Sequence, residues 1–515
     1  MLIIASVIIY RVSINHLKQS ALEEVSAELF SESILEADKI RIHFFPFGIT
    51  IRDITLDTPE NFDFRRSEKP GDLITSLSIE NIEMKGIRLF SFLFRERLII
   101  KEVNINSPNL EMIAVIPGKE RVRELFSNGN SGRHLEITEF NLNDLYLTGL
   151  QEFERINKNL FEINDFSLNM KNINLSEGSY PARDLPGNTS FTAGNFTLNL
   201  PSEHYSFSAD IIRFSGADST FSIRNSKLRP LLTPQLMSED LGHETDHFDM
   251  VSGPIELLHI KPDKIFHSNQ LAADALNIEG MKIYISRDKN FDEKPRTERP
   301  LPSVMFYKLP YGISINEIQW KNGFINYREW REGQVTSGDI LFDETDITIQ
   351  DFQNLDNTQN FYISARTKFL GITEMDVNFD ISMDDVGTHH ISGEIAGFDL
   401  TELNTVLEPL AFSRIRSGEL ESLNFRFTLD DYKSEGKVKV IYDGLEMRML
   451  DEESLEETNR MRVASFFANL VRVRSSNSND DPKIGEVDHE RDKERSIFTY
   501  WWKSLQSGIE SGINQ

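Results

Sequence analysis

The stretch LIIKEVNINSPNLEMI, residues 98–113, indicates the fold class of this chain. Its apolar side chains alternate with polar ones, which is typical of a β-strand with one buried and one hydrated face. The apolar set is Ile100, Val103, Ile105, Leu110 and Met112. Ser107-Pro108 interrupts the alternation and marks a corner. The stretch therefore predicts β-structure with one dry and one wet face.

The same alternation recurs on both sides of this stretch. Examples are KIRIHF (39–44), GITIRDITLD (48–57), LSIENIEMKGI (77–87), ISINEIQWKNGFINY (313–327) and GKVKVIYDGLEMRML (436–450). Short clusters of Asn, Asp, Gly and Pro separate these segments, which favours antiparallel pairing of consecutive strands. The spacing has no fixed period, as a propeller or strict solenoid would require. We predict a mainly β protein whose body, 38–455, is a long curled antiparallel sheet forming a β-groove or half-barrel.

The N-terminus predicts a membrane anchor. Residues 1–10, MLIIASVIIY, carry no charge and precede Arg11, so we assign an anchor to 1–13. This run is shorter than the roughly 20 apolar residues that span a bilayer. A short buried N-terminal element is the alternative. Residues 14–37 then repeat apolar positions at helical spacing and predict an amphipathic helix.

The C-terminus predicts two further amphipathic helices, at 456–475 and 496–513, joined by a polar loop at 476–495. The apolar stripe of the last helix contains Phe498, Trp501, Trp502 and Leu505. Such a stripe must be buried. We expect the helix to cap the end of the β-body, and docking at a membrane interface is the alternative.

Composition excludes several classes of function. The chain has 515 residues and a formal net charge of -27, which opposes tight binding to nucleic acid or to anionic bilayers through charge alone. It contains no cysteine, so disulfides, thiolate metal sites and cysteine nucleophiles are excluded. Phenylalanine is abundant, at 36 residues, which indicates a large apolar surface.

The pentapeptide HETDH, 243–247, matches the zinc-protease pattern H-E-x-x-H. That pattern works only on a helix, and Gly242, Asp246 and the following Gly253-Pro254 are poor helix context. We instead expect a polar segment entering a strand, with His243 and His247 exposed. No phosphate-binding loop and no G-x-S-x-G elbow occur in the sequence. We expect no catalytic residue, no bound metal and no cofactor.

Several segments resemble AsmA-like proteins, the AsmA/TamB type of envelope protein. They are ADKIRIHFFPFGITIRDITLD (37–57), LSIENIEMKGIRLFSFLFRERLIIKEVNINSPNLEM (77–112), GEIAGFDLTELNTVLEPLAFSRIRSGELESLNFRF (393–427), GKVKVIYDGLEMRML (436–450) and RSIFTYWWKSLQSGI (495–509). The resemblance covers about half of the chain. It implies a Gram-negative protein anchored in the inner membrane, with a periplasmic β-groove that carries phospholipid between the membranes or serves outer-membrane biogenesis. An envelope protein partner would fit this setting.

A long sheet with one apolar face must hide that face or bind something apolar. In a curled sheet, acyl chains would gain about 0.8 kcal/mol per buried methylene. The predicted lining residues of this groove are Ile105, Leu110, Ile315, Ile318, Phe324, Val438 and Val440. The main alternative is a tethered structural or adhesive array of β-sandwiches with dry cores. A secreted hydrolase on a β scaffold would rest on HETDH alone.

Overall fold

The computed structural model describes residues 26–27, 30–59, 70–91, 97–113, 134–153, 156–175, 186–293, 297–334, 336–356, 358–383, 387–451 and 473–514. The predicted anchor at 1–13 lies outside the described residues. So do most of the predicted helix at 14–37 and nearly all of the predicted helix at 456–475. No helix in the described part of the chain is both long and apolar enough to cross a bilayer.

The protein is mainly β, as predicted. The strands are β1 Ile34–Phe44, β2 Phe47–Asp57, β3 Ile74–Lys85, β4 Arg97–Ile113, β5 His134–Phe153, β6 Ile156–Leu175, β7 Thr189–Asn199, β8 Tyr205–Ser215, β9 Thr220–Arg224, β10 Ser226–Pro230, β11 Asp246–Ser252, β12 Ile255–Leu258, β13 Gln270–Glu279, β14 Lys282–Asp288, β15 Gly312–Trp330, β16 Ser337–Gln353, β17 Phe361–Phe369, β18 Thr373–Ile381, β19 His389–Asp399, β20 Ser413–Leu429, β21 Lys433–Met449 and β22 Ile484–Glu490.

Of the described helices, only the last is longer than eight residues. The α-helices are α1 Pro234–Leu241, α2 Pro262–Ser268, α3 Pro302–Tyr307, α4 Asn404–Ala411 and α5 Ile497–Ile513, and single 3₁₀ turns lie at Pro70–Leu73, Pro186–Asn188 and Leu400–Leu403. The chain divides into two compact units, 1–226 and 227–515, called unit 1 and unit 2.

Two sequence-based boundaries need correction. Strand β1 begins at Ile34, inside the segment predicted as amphipathic helix, because Leu35 and Ala37 join the β alternation. Strand β22, Ile484–Glu490, lies inside the predicted polar loop at 476–495. It pairs antiparallel with β21, and its few apolar residues hid it from the periodicity argument.

Unit 1 is a sheet in which β1 to β9 pair in chain order. All of these pairs are antiparallel except β4 with β5, which is parallel in the register Ile105 to Leu142. Unit 2 also contains parallel pairs, since β15 runs parallel to both β13 and β14. The prediction of a purely antiparallel sheet was therefore wrong, and the sheets are mixed. From β15 to β22 each strand pairs antiparallel with the next.

Left-handed residues keep the apolar side chains of a long strand on one face. Asp53, Ser107, Asp144, Asp165 and Asn195, on five strands of unit 1, have φ between 47° and 54°. Asp and Asn tolerate this conformation better than other side chains with a Cβ. Each one comes second in a pair of residues, polar or glycine, that resets the alternation, as in Ile49-Thr-Ile51-Arg-Asp-Ile54-Thr-Leu56. All four apolar residues of that strand are consequently buried.

The core of unit 1 lies on this apolar face. Buried side chains from β1 to β6 form one hydrophobic cluster that also includes Phe30. The cluster includes Ile51, Ile82, Ile105, Leu142 and Met170, one from each of five strands. Their cross-strand register places Ile51 beside Ile82 and Ile82 beside Ile105. Burial of such rows is the main stabilising contribution to this sheet.

Candidate functional site: the half-buried apolar sheet faces

The apolar face of unit 1 changes character beyond β5. It continues in register into β6 to β9, because Leu142 pairs with Leu168, Leu168 with Phe191, and Phe191 with Phe214. These continuing side chains are half-buried, whereas most apolar side chains of β2 to β5 on the same face are buried. We call this set the unit 1 apolar face: Phe161, Ile163, Phe166, Leu168, Phe191, Phe196, Leu198, Phe207, Ile212, Phe214, Phe221 and Ile223.

Aromatic rings form a row across this face. The ring centroids of Phe166 and Phe191 are 5.9 Å apart, and those of Phe191 and Phe214 are 5.7 Å apart. A second pair, Phe196 and Phe207, has centroids 6.1 Å apart. Such spacings are favourable for aromatic pairs, so the rings stabilise one another while part of each stays in contact with solvent. The result is a strip of half-buried apolar side chains across β6 to β9.

The opposite face of unit 1 is polar and ordered by asparagine ladders. Asn141 donates to Asn104 (3.0 Å), and Asn169 donates to Asn141 (2.6 Å). A second ladder joins Asn106 to Asn81 at 2.7 Å and Asn143 to Asn106 at 2.8 Å.

These amides are direct register partners across the strands. A slip of one residue would break the ladder and turn the apolar side chains to the other face. The polar ladders therefore help to specify which face is apolar.

Unit 2 has a comparable half-buried apolar face on β13, β15 and β16. Leu276 pairs with Ile318, which pairs with Ile349. We call this set the unit 2 apolar face: Leu271, Leu276, Ile278, Ile313, Ile315, Ile318, Trp320, Ile347, Ile349 and Phe352. Ile315 is the one buried member, and the others are half-buried.

One predicted lining residue, Phe324, lies on the face opposite the unit 2 apolar face. Asn322 has φ of 52° and forms part of a bulge in β15, between Trp320 and Gly323. The extra residue returns Gly323 to the face of Trp320 and sends Phe324 to the opposite face. There the Phe324 ring lies 5.4 Å from the ring of Tyr284. The assignment of Phe324 to the groove lining was therefore wrong.

The remaining predicted lining residues differ in their exposure. Ile105 and Leu110 are buried in the unit 1 core, and Val440 is buried in the main core of unit 2. Val438 is also buried, because helix α5 lies directly over it. Of the seven residues, Ile318 and Ile315 lie on the unit 2 apolar face. A role in binding an apolar ligand stays a prediction for these two.

Helix α5 covers the apolar side of the last strands of unit 2. Ser496 caps its first turn by accepting a hydrogen bond from the backbone N of Thr499 at 3.2 Å. Small residues on one side of the helix allow close approach to the sheet. Gly508 lies against Val438 and Val487, and Gly512 lies against Gly485. This contact makes α5 a cover for β21 and β22.

The aromatic residues of α5 divide between two sides of the helix. Trp501 packs into the core, 4.9 Å from the ring of Phe379, and Leu505 packs against the same core. Phe498 is 72% exposed and Trp502 is 42% exposed. The prediction that the whole apolar stripe is buried was therefore wrong for Phe498 and Trp502. Positions 498 and 502 are one turn apart and share the outer side.

A histidine lies under α5 as well. The His489 ring is 6.0 Å from the ring of Tyr500. Burial, followed by the positive charge of Lys503, lowers the pKa of His489 below its ordinary value, although the acidic neighbours Asp488 and Asp492 oppose the shift.

HETDH lies where the chain enters strand β11 of unit 2. Strand β11 begins within it, at Asp246, whose carboxylate accepts two hydrogen bonds from Arg287 at 2.8 and 2.7 Å. His247 is buried and not exposed as expected, with Nε2 2.9 Å from the carbonyl O of Leu232. His243 is half-buried. Across the described ranges, no group of three His, Asp or Glu side chains could hold a metal ion.

Sequence reasoning missed the phenylalanines of β7 to β9. The signal that could have found them is an eight-residue pattern of two alternate apolar residues, a polar or glycine pair ending in Asp or Asn, and two more alternate apolar residues. FEINDFSL (161–168) and FTAGNFTL (191–198) both have this pattern.

Comparison with known proteins adds no relative, since no family model matches the chain and no curated protein is similar to it in sequence.

Proposed function

We propose that this protein binds the acyl chains of lipids along its half-buried apolar faces and carries lipid, phospholipid in particular, between membranes of a cell envelope. The observation that supports the proposal most is the unit 1 apolar face. Twelve large apolar side chains remain half-buried on strands whose neighbours bury the same face. An apolar surface of this extent commonly marks a site for an apolar partner.

The geometry suits an extended, flexible ligand. Rows of Phe, Leu and Ile offer similar contacts along the strip, at about 0.8 kcal/mol for each buried methylene. Since no single position is much more favourable than its neighbours, an acyl chain could slide along the strip. The polar ladders on the opposite face keep that side hydrated. No charged side chain belongs to the unit 1 apolar face.

The proposed cellular setting follows the sequence. Residues 1–13 would anchor the chain in an inner membrane, with the β-body on the periplasmic side and an envelope protein as a further partner. The curled groove predicted from the sequence is part of this proposal. Helix α5 would close the apolar side at the last strands, since it covers Val438 and Val487.

Native mass spectrometry of gently extracted protein tests the proposal. We expect phospholipid to remain bound to the full chain, and we expect less of it after Phe191→Ser with Phe214→Ser. Tyr146→Ser is the control, because Tyr146 is an exposed ring in unit 1 outside the apolar face. Lipid-free protein in several mild detergents would contradict the proposal and favour a tethered structural or adhesive protein. Equal lipid loss in the control would contradict the assignment of the face.

A further inference from the structure

One end of unit 1 carries exposed aromatic residues away from the apolar face. Strands β1 and β2 form a hairpin whose tip is Phe44-Phe45-Pro46-Phe47. Phe45 is 100% exposed and Phe44 is 70% exposed. Leu89 and Phe90, in the segment after β3, are exposed too, Phe90 at 66%. We call Phe44, Phe45, Leu89 and Phe90 the aromatic tip.

Backbone contacts hold the two parts of the aromatic tip side by side. The amide of Ile87 donates to the carbonyl O of Phe47 at 3.0 Å, and the amide of Arg88 donates to the carbonyl O of Ile99 at 2.9 Å. Gly48, just after the hairpin tip, pairs with Lys85 at the end of β3. The exposed side chains thus project from one end of the sheet, where β1, β2, β3 and β4 begin or end.

The charge around the aromatic tip is opposite to that of the whole chain. Segments 39–50, 85–91 and 97–101 contain six Lys or Arg residues and no Asp or Glu, within a chain of net charge -27. Lys85 pairs with Glu83 at 2.9 Å, and Arg97 with Glu136 at 2.6 Å. Arg41, Arg88 and Lys101 are exposed, and no described carboxylate lies within ion-pair distance of them. These three form a basic collar.

We infer that the aromatic tip inserts into the interface of an anionic lipid bilayer, with the basic collar against the lipid phosphates. Apolar rings at a loop tip gain free energy on leaving water for the headgroup and acyl boundary. Each nearby Lys or Arg adds about 1 kcal/mol of attraction to an anionic surface. The collar favours a bilayer over an apolar protein surface, because it would meet a continuous sheet of phosphates. This inference does not rest on lipid transport, since the tip lies outside the apolar faces.

The absence of cysteine permits a direct test on the full chain. Phe45→Cys, labelled with an environment-sensitive fluorophore, is mixed with phosphatidylcholine–phosphatidylglycerol vesicles or with phosphatidylcholine vesicles. The control is Phe498→Cys, another highly exposed phenylalanine, on α5 of unit 2. We expect a blue shift and quenching by brominated lipid at position 45 in the anionic vesicles, and neither at position 498.

Three results would overturn the inference. They are emission at position 45 that anionic vesicles leave unchanged, equal quenching at positions 45 and 498, and equal immersion in neutral vesicles. The first would exclude a bilayer as the partner of the aromatic tip.

A charge variant measures the role of the collar. Arg41→Glu with Arg88→Glu should raise the concentration of anionic vesicles needed for half of the blue shift at position 45 by at least about tenfold. The reason is that two attractions to the lipid phosphates become repulsions. Arg366→Glu, at an exposed position in unit 2, should leave it unchanged.

Lipid bound in native mass spectrometry should be the same in all these variants, which separates the tip from the apolar faces. If the collar variant binds vesicles as the wild type does, the phosphate contact is refuted.

Discussion

The packing of α5 on β22 can be tested with one added methyl group. In Gly485→Ala the new Cβ would overlap the carbonyl O of Gly508 and would lie 2.8 Å from the backbone N of Gly512. Both are backbone atoms, so no side-chain rotation relieves the overlap and the helix must move away from the strand. Overpacking of this kind costs about 1 to 3 kcal/mol, and we expect the upper part of that range. Gly512→Ala is the matched control, because its Cβ would meet Gly485 at ordinary contact distances of 3.4 and 3.5 Å.

Tryptophan fluorescence during thermal unfolding provides the assay. All four tryptophans of the chain lie between residues 320 and 502, inside unit 2, so the signal reports that unit alone. We expect Gly485→Ala to lower the melting temperature by about 5 to 10 °C. Gly512→Ala should leave it unchanged or raise it slightly, since alanine favours a helix by up to about 1 kcal/mol over glycine. Equal melting temperatures for wild type and Gly485→Ala would refute the close packing of α5 on β22.

Three further predictions concern single residues of unit 2. Trp501→Ala should lower the free energy of unfolding of unit 2 in urea by about 2 to 4 kcal/mol, because its ring packs on the core. Trp502→Ala should lower it by less than about 1 kcal/mol, and equal losses would contradict the placement of one ring inside and one outside. His489 is held in its neutral form, so its contribution to the free energy of unfolding is complete above about pH 6.5 and falls as the pH drops below that value. In His489→Gln the loss of stability between pH 7 and pH 5 should be smaller, and an unchanged pH dependence would refute the assignment. Asn322→Val should cost about 1 to 2 kcal/mol because a β-branched residue is strained at positive φ, whereas Asn322→Gly should be nearly neutral in the same urea titration; equal losses would show that the bulge conformation is not the cause.

The sequence predicted the β class and many strands, since alternation is a local property that burial on one face imposes. It could not predict the bulges with equal success. Ser107-Pro108 announces a corner, and Ile105 and Leu110 do share the buried face. Asn322 gives a weaker signal, and Phe324, two residues after it, was placed on the wrong face. Which face the residues after a bulge occupy depends on the φ angle of one residue in the bulge.

The periodicity of the sequence also could not predict which apolar residues other elements cover. Val438 alternates like a lining residue, and only the position of α5 shows that it is buried. Trp501 and Trp502 are neighbours in sequence, and a broad apolar stripe includes both. The sheet beneath α5 decides which ring is inside. Parallel pairing of β4 with β5 likewise depends on how the chain crosses between them and not on either strand's own pattern.

If acyl chains lie on the unit 1 apolar face, a pair of single-cysteine variants should distinguish that face from the opposite one. Phe214 lies on that face, beside Phe191 and Phe221, whereas the adjacent Arg213 is exposed on the opposite face. Each position is changed to Cys, labelled with a photoactivatable benzophenone, and irradiated in membranes that contain the full chain. We expect cross-links to lipid acyl chains at position 214 and none at position 213. Equal cross-linking at the two positions, or none at position 214, would show that acyl chains do not lie on the unit 1 apolar face.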